Sequence, residues 1–227
     1  MRAALQFLTI VPVPAPAMAP GAAAVWYPAA GALIGLAVAL AWHSPLQATL
    51  AILTAVAVTG GLHEDGLADV CDAVRAGRTR ERMLEILKDS RIGTYGALAI
   101  VLSVLVRWQA MTRLTGNVWW SLALVFAASR ASMVLLAAST PAAAPGLGSQ
   151  FRDSLPRAAA PLVVLQVLGL AAASADLRLW LPVAAAGLSV VCVRAWLLRR
   201  LGGFTGDCLG LQCQIAEASA LVVLAWR

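Results

Sequence analysis

Charge is what this sequence has least of. Only 12% of its 227 residues are Asp, Glu, Lys or Arg, and between Arg2 and Glu64 there is none for 61 consecutive positions. Soluble domains carry about 25% charged and about 45–50% apolar residues. Here the apolar share is 61% and the mean hydropathy +0.82, which excludes an ordinary soluble domain and places the chain among membrane proteins. Period-2 alternation is also missing from the apolar runs, and that excludes a membrane β-barrel, whose strands alternate lipid-facing and lumen-facing residues. Backbone polar groups in lipid need partners within their own segment, so the spans are helices. There is no Cys-x-x-C pair: Cys71, Cys192, Cys208 and Cys213 are scattered and the last two have no His nearby, so zinc and redox roles fall away. Free Cys of this kind fills apolar space. Lysine is almost absent, since 16 of the 17 bases are Arg, a bias from which no chemistry follows. The bases lie at segment ends, so the net charge of +6 reports topology and no nucleic-acid partner is expected.

What is present divides into seven apolar runs, roughly 24–42, 46–62, 96–113, 118–138, 159–175, 179–198 and 209–225. The expected fold is all-α, a polytopic membrane bundle of roughly seven transmembrane helices plus a short cytoplasmic amphipathic helix, in one domain over 1–227. The amphipathic piece is 79–89, where Met83, Leu84, Ile86 and Leu87 oppose Arg80, Arg82 and Glu85, a pattern suited to a membrane surface. Trp26, Trp42, Trp119, Trp120, Trp180, Trp196 and Trp226 fall near span ends as an aromatic belt. Arg2, the apolar run after it and Ala15-Pro16-Ala17 resemble a secretory signal, but prolines 12, 14 and 16 break that helix early, so an uncleaved interfacial segment is expected. Eleven bases flank the spans on the side of the N-terminus and of loops 63–95, 139–158 and 199–208, against three on the other side. By the positive-inside rule that first side is cytoplasmic. Loop 63–95, which carries most of the acids, is on that side.

The acids are concentrated. After the long uncharged stretch, Glu64, Asp65, Asp69 and Asp72 arrive within nine positions, with no base before Arg75. If 64–76 is helical, Asp65, Asp69 and Asp72 share about 60° of arc. Like charges at this spacing repel, more strongly at a low-dielectric boundary. Solvated acidic faces usually mix signs, and this one does not. An array of hard oxygen ligands suits Mg²⁺, or Mn²⁺, and two such ions would clamp the attacking and leaving oxygens of a phosphoryl transfer. His63 is a candidate ligand or base, against the commoner structural role of a lone His. Downstream, Lys88-Asp89-Ser90-Arg91-Ile92-Gly93-Thr94-Tyr95-Gly96 offers bases, hydroxyls and glycine N–H groups for a phosphate cradle. Ionisable residues inside spans are functional by default. Arg130 is a candidate phosphate ligand, and Glu217 either orients a base or metal ligand or forms a buried pair with Arg130. Arg194 and Arg107 are expected to snorkel to opposite interfaces.

These motifs have a known counterpart. Gly60-Gly61-Leu62-His63-Glu64-Asp65-Gly66-Leu67-Ala68-Asp69-Val70-Cys71-Asp72 and Arg82-Met83-Leu84-Glu85-Ile86-Leu87-Lys88-Asp89-Ser90-Arg91-Ile92-Gly93-Thr94-Tyr95-Gly96 closely resemble the cobalamin 5'-phosphate synthase (adenosylcobinamide-GDP ribazoletransferase) family. Phe7-Leu8-Thr9-Ile10-Val11-Pro12-Val13-Pro14 and Leu201-Gly202-Gly203-Phe204-Thr205-Gly206-Asp207 look like its terminal motifs, so the likeness spans nearly the whole chain. The chain departs from the family at Ile10, where Arg often follows Phe-Leu-Thr, and in a compact 139–158 loop. The resemblance implies a Mg²⁺-dependent integral membrane enzyme that joins adenosylcobinamide-GDP to α-ribazole or α-ribazole 5'-phosphate and releases GMP. On that basis Asp65, Asp69, Asp72 and Asp89 are the expected metal ligands, one of them or His63 taking the hydroxyl proton. Lys88, Ser90, Arg91 and Arg130 would hold phosphate, and Asp207 would complete the metal shell or grip a substrate hydroxyl. The partners so implied are the two substrates and the lipid bilayer, with homo-oligomerisation left open, and the location implied is a bacterial inner (plasma) membrane, with 63–95 as a cytoplasmic catalytic loop.

Two rival readings are weaker. A CDP-alcohol phosphotransferase uses the same logic, but its D-x-x-D-G-x-x-A-R signature differs from the D-G-x-A-D-x-x-D order here. A cation transporter would place acids near the bilayer midplane on paired broken helices, whereas most acids here crowd one loop.

Overall fold

Apolar runs punctuated by Gly, Pro and charge become eleven α-helices in the computed structural model, which describes residues 1–227 apart from 44, 45, 78, 90 and 227. They are α1 (Arg2–Leu8), α2 (Tyr27–Trp42, entered through a 3₁₀ turn Ala24–Trp26), α3 (Gln47–Thr59), α4 (Leu62–Ala76), α5 (Arg80–Ile86) and α6 (Thr94–Met111). Then follow α7 (Val118–Ser139), α8 (Leu147–Asp153), α9 (Ala159–Ala173), α10 (Trp180–Arg200) and α11 (Gly206–Ala225). Among the described residues the one β feature is an isolated bridge between Ala142 and Phe204. The fold is all-helical and membrane-embedded. Among the described residues, five stretches are long and apolar enough to cross a bilayer: Ala24–Trp42, Thr94–Met111, Val118–Ser139, Leu177–Arg200 and Gly206–Ala225. The two other expected spans are the apolar helices α3 and α9, with only 13 and 15 residues. At 1.5 Å per residue these are about 20 and 22 Å long, short of a hydrocarbon core of about 30 Å.

The connections gather at two ends. At one, Ser154 Oγ accepts from the Gly21 N–H at 2.9 Å, and Arg80 donates to the carbonyls of Leu201 (2.8 Å) and Ala143 (2.5 Å). At the other, Trp42 Nε1 donates to the Met111 carbonyl at 3.0 Å, Trp108 Nε1 to Thr49 Oγ1 at 3.2 Å, and His43 stacks on Trp119. The N-terminal segment, Arg80 and the loops 139–158 and 199–208 thus share one end, the grouping the charge pattern implies for them. The apolar side of α5 is turned inward: Met83 is buried and Leu84, Ile86 and Leu87 pack on the core.

α7 is buried along most of its length and packs against α2, α9, α10 and α11. Its closest partner is α2, because Gly31 and Gly35 lie one helical turn apart on the facing side. A Cβ at Gly31 would strike the Phe126 carbonyl, and one at Gly35 the Leu122 carbonyl. This small-xxx-small spacing lets two backbones approach where no hydrophobic effect distinguishes helix from lipid. Gly35→Leu is expected to force α2 away from α7 and cost about 1–3 kcal/mol, the range for overpacking. Thermal unfolding in detergent checks it, with Gly187→Leu, where a side chain meets open space, as the control.

Between α3 and α4 the helix is broken. Gly60 and Gly61 take left-handed φ values of 64° and 71°. Their N–H groups bond back to Ala57 and Val56, a Schellman closure. Ile10 N–H bonds to the Val58 carbonyl at 2.9 Å, so the broken backbone is satisfied. The break redirects the chain and sends α4 antiparallel along α11 and α6.

Candidate functional site

α4 begins with Glu64 and Asp65 in its first turn and ends with Arg75 in its last, the arrangement the helix dipole favours. The expected helix therefore forms and carries Asp65, Asp69 and Asp72 along one side. What brings them to Asp207 is the crossing of α4 and α11. A Cβ on Gly66 would lie 2.6 Å from the Asp207 carbonyl oxygen, and one on Gly210 would lie 3.1 Å from the His63 carbonyl oxygen. Only glycines permit that approach. Asp207, in the first turn of α11, is half-buried and accepts a hydrogen bond from Thr205 Oγ1 at 3.1 Å. Asp65 is exposed and Asp69 half-buried. Burial, then the charges of Asp65, Asp207 and Asp72, push the Asp69 carboxyl up to about 6. None of the described salt bridges reaches Asp65, Asp69, Asp72 or Asp207.

Asp72 has other work. It is buried, and its two oxygens accept from the N–H groups of Gly93 (2.7 Å) and Gly96 (2.9 Å) at the start of α6. The glycine N–H groups that the sequence offered to phosphate are thus taken by Asp72, which caps α6 from the side of α4. A Cβ on either glycine would collide with that carboxylate. Asp89 is not drawn to the other acids. Arg91 grips it in a two-pronged pair, with Nε to Oδ1 at 2.9 Å and a terminal nitrogen to Oδ2 at 2.6 Å, and pulls its carboxyl down to about 2. Lys88 and Arg91 are exposed on the same loop, open to a ligand, and Ser90 lies outside the described residues. Arg75 stands over the Tyr95 ring at 5.5 Å.

Three more expected residues sit in a buried network. Arg107 donates to Glu64 Oε1 at 3.0 Å and to Glu217 Oε1 at 2.9 Å. Arg130 donates to Glu217 Oε2 at 2.5 Å and to Ser129 Oγ at 2.9 Å. Gln214 Nε2 donates to Glu64 Oε1 at 3.1 Å, and Ser103 Oγ to Gln214 Oε1 at 3.0 Å. Arg107, Arg130 and Glu217 are each 1% exposed. The expected Arg130–Glu217 pair therefore forms, and Arg130 spends its guanidinium there, away from any surface that phosphate could reach. His63 is likewise 1% exposed, and among the described residues neither ring nitrogen has a hydrogen-bond partner. Arg107 corrects the expectation of snorkelling. It shares a stripe of α6 with Gly96, Ser103 and Ala110, at spacings that keep one helical face, and that periodicity was the available signal. Arg194 is exposed, its Nε donating to the Ser139 carbonyl at 2.9 Å.

The donor set at the acidic end fits a hard dication: carboxylate oxygens only, mutually repelling, with no base among them. No three His, Cys, Asp or Glu side chains among the described residues converge into a closed cage. An ion there would complete its shell with water and substrate oxygens, which is how Mg²⁺ usually binds.

The family model described as cobalamin-5-phosphate synthase matches residues 1–225. A protein named adenosylcobinamide-GDP ribazoletransferase from Herpetosiphon aurantiacus is 38% identical over 98% of this chain and 94% of its own length. Proteins of the same name from Bradyrhizobium diazoefficiens and Ectopseudomonas mendocina are 38% and 39% identical, each over 99% of this chain and over 92% and 97% of their own lengths. No solved structure matches.

Proposed function

The chain belongs to the cobalamin-5-phosphate synthase family, and from that premise we propose that it is a membrane-embedded adenosylcobinamide-GDP ribazoletransferase of cobalamin biosynthesis. It joins adenosylcobinamide-GDP to α-ribazole or α-ribazole 5'-phosphate and releases GMP. The observation that carries this reading is the group Asp65, Asp69 and Asp207, held together without a salt bridge to any base among the described residues. Mg²⁺, or Mn²⁺ in its stead, would neutralise the diphosphate and the departing GMP. The residues of the chain do the rest. Asp65, Asp69 and Asp207 supply the oxygen donors, and one of these carboxylates takes the proton of the attacking ribose hydroxyl. Lys88 and Arg91 grip phosphate oxygens, Asp89 aiming the Arg91 fork. Asp72 keeps the start of α6 against α4. The eleven-to-three distribution of bases supports a cytoplasmic acidic end in the bacterial inner membrane. All seven apolar helices cross in this reading.

The test is GMP release by the purified enzyme from adenosylcobinamide-GDP plus α-ribazole, repeated with chelator. Release should need both substrates, stop on chelation and return with Mg²⁺. Turnover that survives chelation, or CMP release from a CDP-alcohol instead, would overturn the reading.

A pH dependence follows from Asp69. Its carboxyl in the folded protein, at about 6, lies above the value of about 3.9 expected for an unfolded chain. Between those values the native state holds the extra proton, so the metal-free protein loses stability as pH rises from 4 to 6. Added Mg²⁺ should therefore raise the melting temperature more at pH 7 than at pH 5. Equal shifts at the two values would contradict it.

A further inference from the structure

We infer that Glu64 and Arg107 are positioning residues for the acidic site: their buried pair fixes how far α4 slides along α11, and so where Asp65 and Asp69 stand opposite Asp207. The inference deepens the proposed function and rests on its reading of those acids as a dication site. Glu64 precedes Asp65 on α4, and Glu217 lies ten residues beyond Asp207 on α11. Arg107, projecting from α6, holds both carboxylates at once, at 3.0 and 2.9 Å. Gln214, one turn before Glu217, adds a second hold on Glu64 at 3.1 Å. The closest approach of the two helices is at Gly66 and Gly210, which have no side chains to interlock. A glycine crossing sets the distance between two helices but adds no interlocking contact of its own to fix their axial register. Directional bonds from one guanidinium to a carboxylate on each helix supply that register. The groups facing the pair are Arg130, Ser103 and His63, and the two Arg and two Glu of the network balance in charge.

Arg107 touches no acid of the site, so its effect on ion binding passes through α4. Mn²⁺ binding, followed by electron paramagnetic resonance on the purified protein in detergent, reads this without turnover. The double variant Glu64→Gln/Arg107→Met keeps the charge balance, the acceptor for Gln214 and the buried volume. It should melt close to the wild type and bind Mn²⁺ about 10–100-fold more weakly, the usual effect of losing an outer partner of a metal ligand. A purely structural role predicts the reverse: altered melting with wild-type Mn²⁺ affinity in the folded fraction. Arg107→Lys, which keeps the charge but cannot fork to two carboxylates, gives a second reading and should weaken binding to an intermediate degree. Wild-type affinity in the folded double variant overturns the inference, and so does wild-type affinity in Arg107→Lys if the double variant does not fold. Wild-type protein that binds no Mn²⁺ is a separate failure, that of the acidic site itself.

Discussion

Asp65→Asn and Asp69→Asn should each lower GMP release by about 10²–10³-fold or more, the scale on which single electrostatic contributors to a transition state are lost. Asn keeps the size of the side chain and one acceptor oxygen, and removes the charge. Among the described residues neither is tied into the fold by a salt bridge, and Asp65 is exposed. Loss of turnover should therefore come without loss of folding. Asp69→Asn should even melt higher than the wild type in the absence of metal above pH 6, because it removes the carboxylate that burial and the charges of Asp65, Asp207 and Asp72 push up to about 6. Mg²⁺ should then stabilise it less. Asp176→Asn is the control, a half-buried carboxylate at the opposite end whose partner is Arg178 at 2.7 Å, and it should leave activity alone. Full Mg²⁺-dependent turnover in Asp65→Asn or Asp69→Asn would remove these carboxylates from the metal site.

The proposed division of labour on α4, with Asp65 and Asp69 for the ion and Glu64 and Asp72 for the fold, is half legible in the sequence. The 100° step of a helix puts Asp65 and Asp69 together, and the absence of any base before Arg75 marks them as a pair awaiting a cation. Asp72 shares that arc, but whether it faces an ion or the N–H groups of Gly93 and Gly96 depends on where α6 begins in space. Period cannot tell that. Asp89 reads as a ligand by proximity in sequence, yet Arg91, two residues away, reaches it first. Arg107 sits only four residues from the end of α6, so an interfacial role was the natural expectation. The glycine spacing that lets α4 approach α11 was visible as letters. Its meaning needed the crossing itself, because Gly66 and Gly210 are 144 residues apart. The helix break at Gly60-Gly61 was likewise present in the sequence, where it divides an expected span from the acidic helix.

Glu217→Gln should be the most damaging change to the fold. Glu217 alone holds both guanidiniums, Arg107 at 2.9 Å and Arg130 at 2.5 Å, in a place where it and Arg130 are 1% exposed. Neutralising it leaves two buried positive charges against the one carboxylate of Glu64. Removing one partner of a buried pair costs about 3–5 kcal/mol, because the group left behind is neither solvated nor compensated. That is a large fraction of the stability of most domains, about 5–15 kcal/mol, so the variant should accumulate poorly in membranes and melt far below the wild type. The same reasoning separates charge from shape. Glu217→Met/Arg130→Met removes a positive and a negative charge together, keeps the buried volume, and leaves Arg107 paired with Glu64 at 3.0 Å. Buried ion pairs replaced whole by apolar groups are often neutral or better, so the double variant should recover most of the lost stability. Thermal unfolding of the three proteins in one detergent decides it. If Glu217→Gln melts with the wild type, the network adds nothing to the fold. If the double variant is no better than the single, the cost comes from lost packing rather than from a stranded charge.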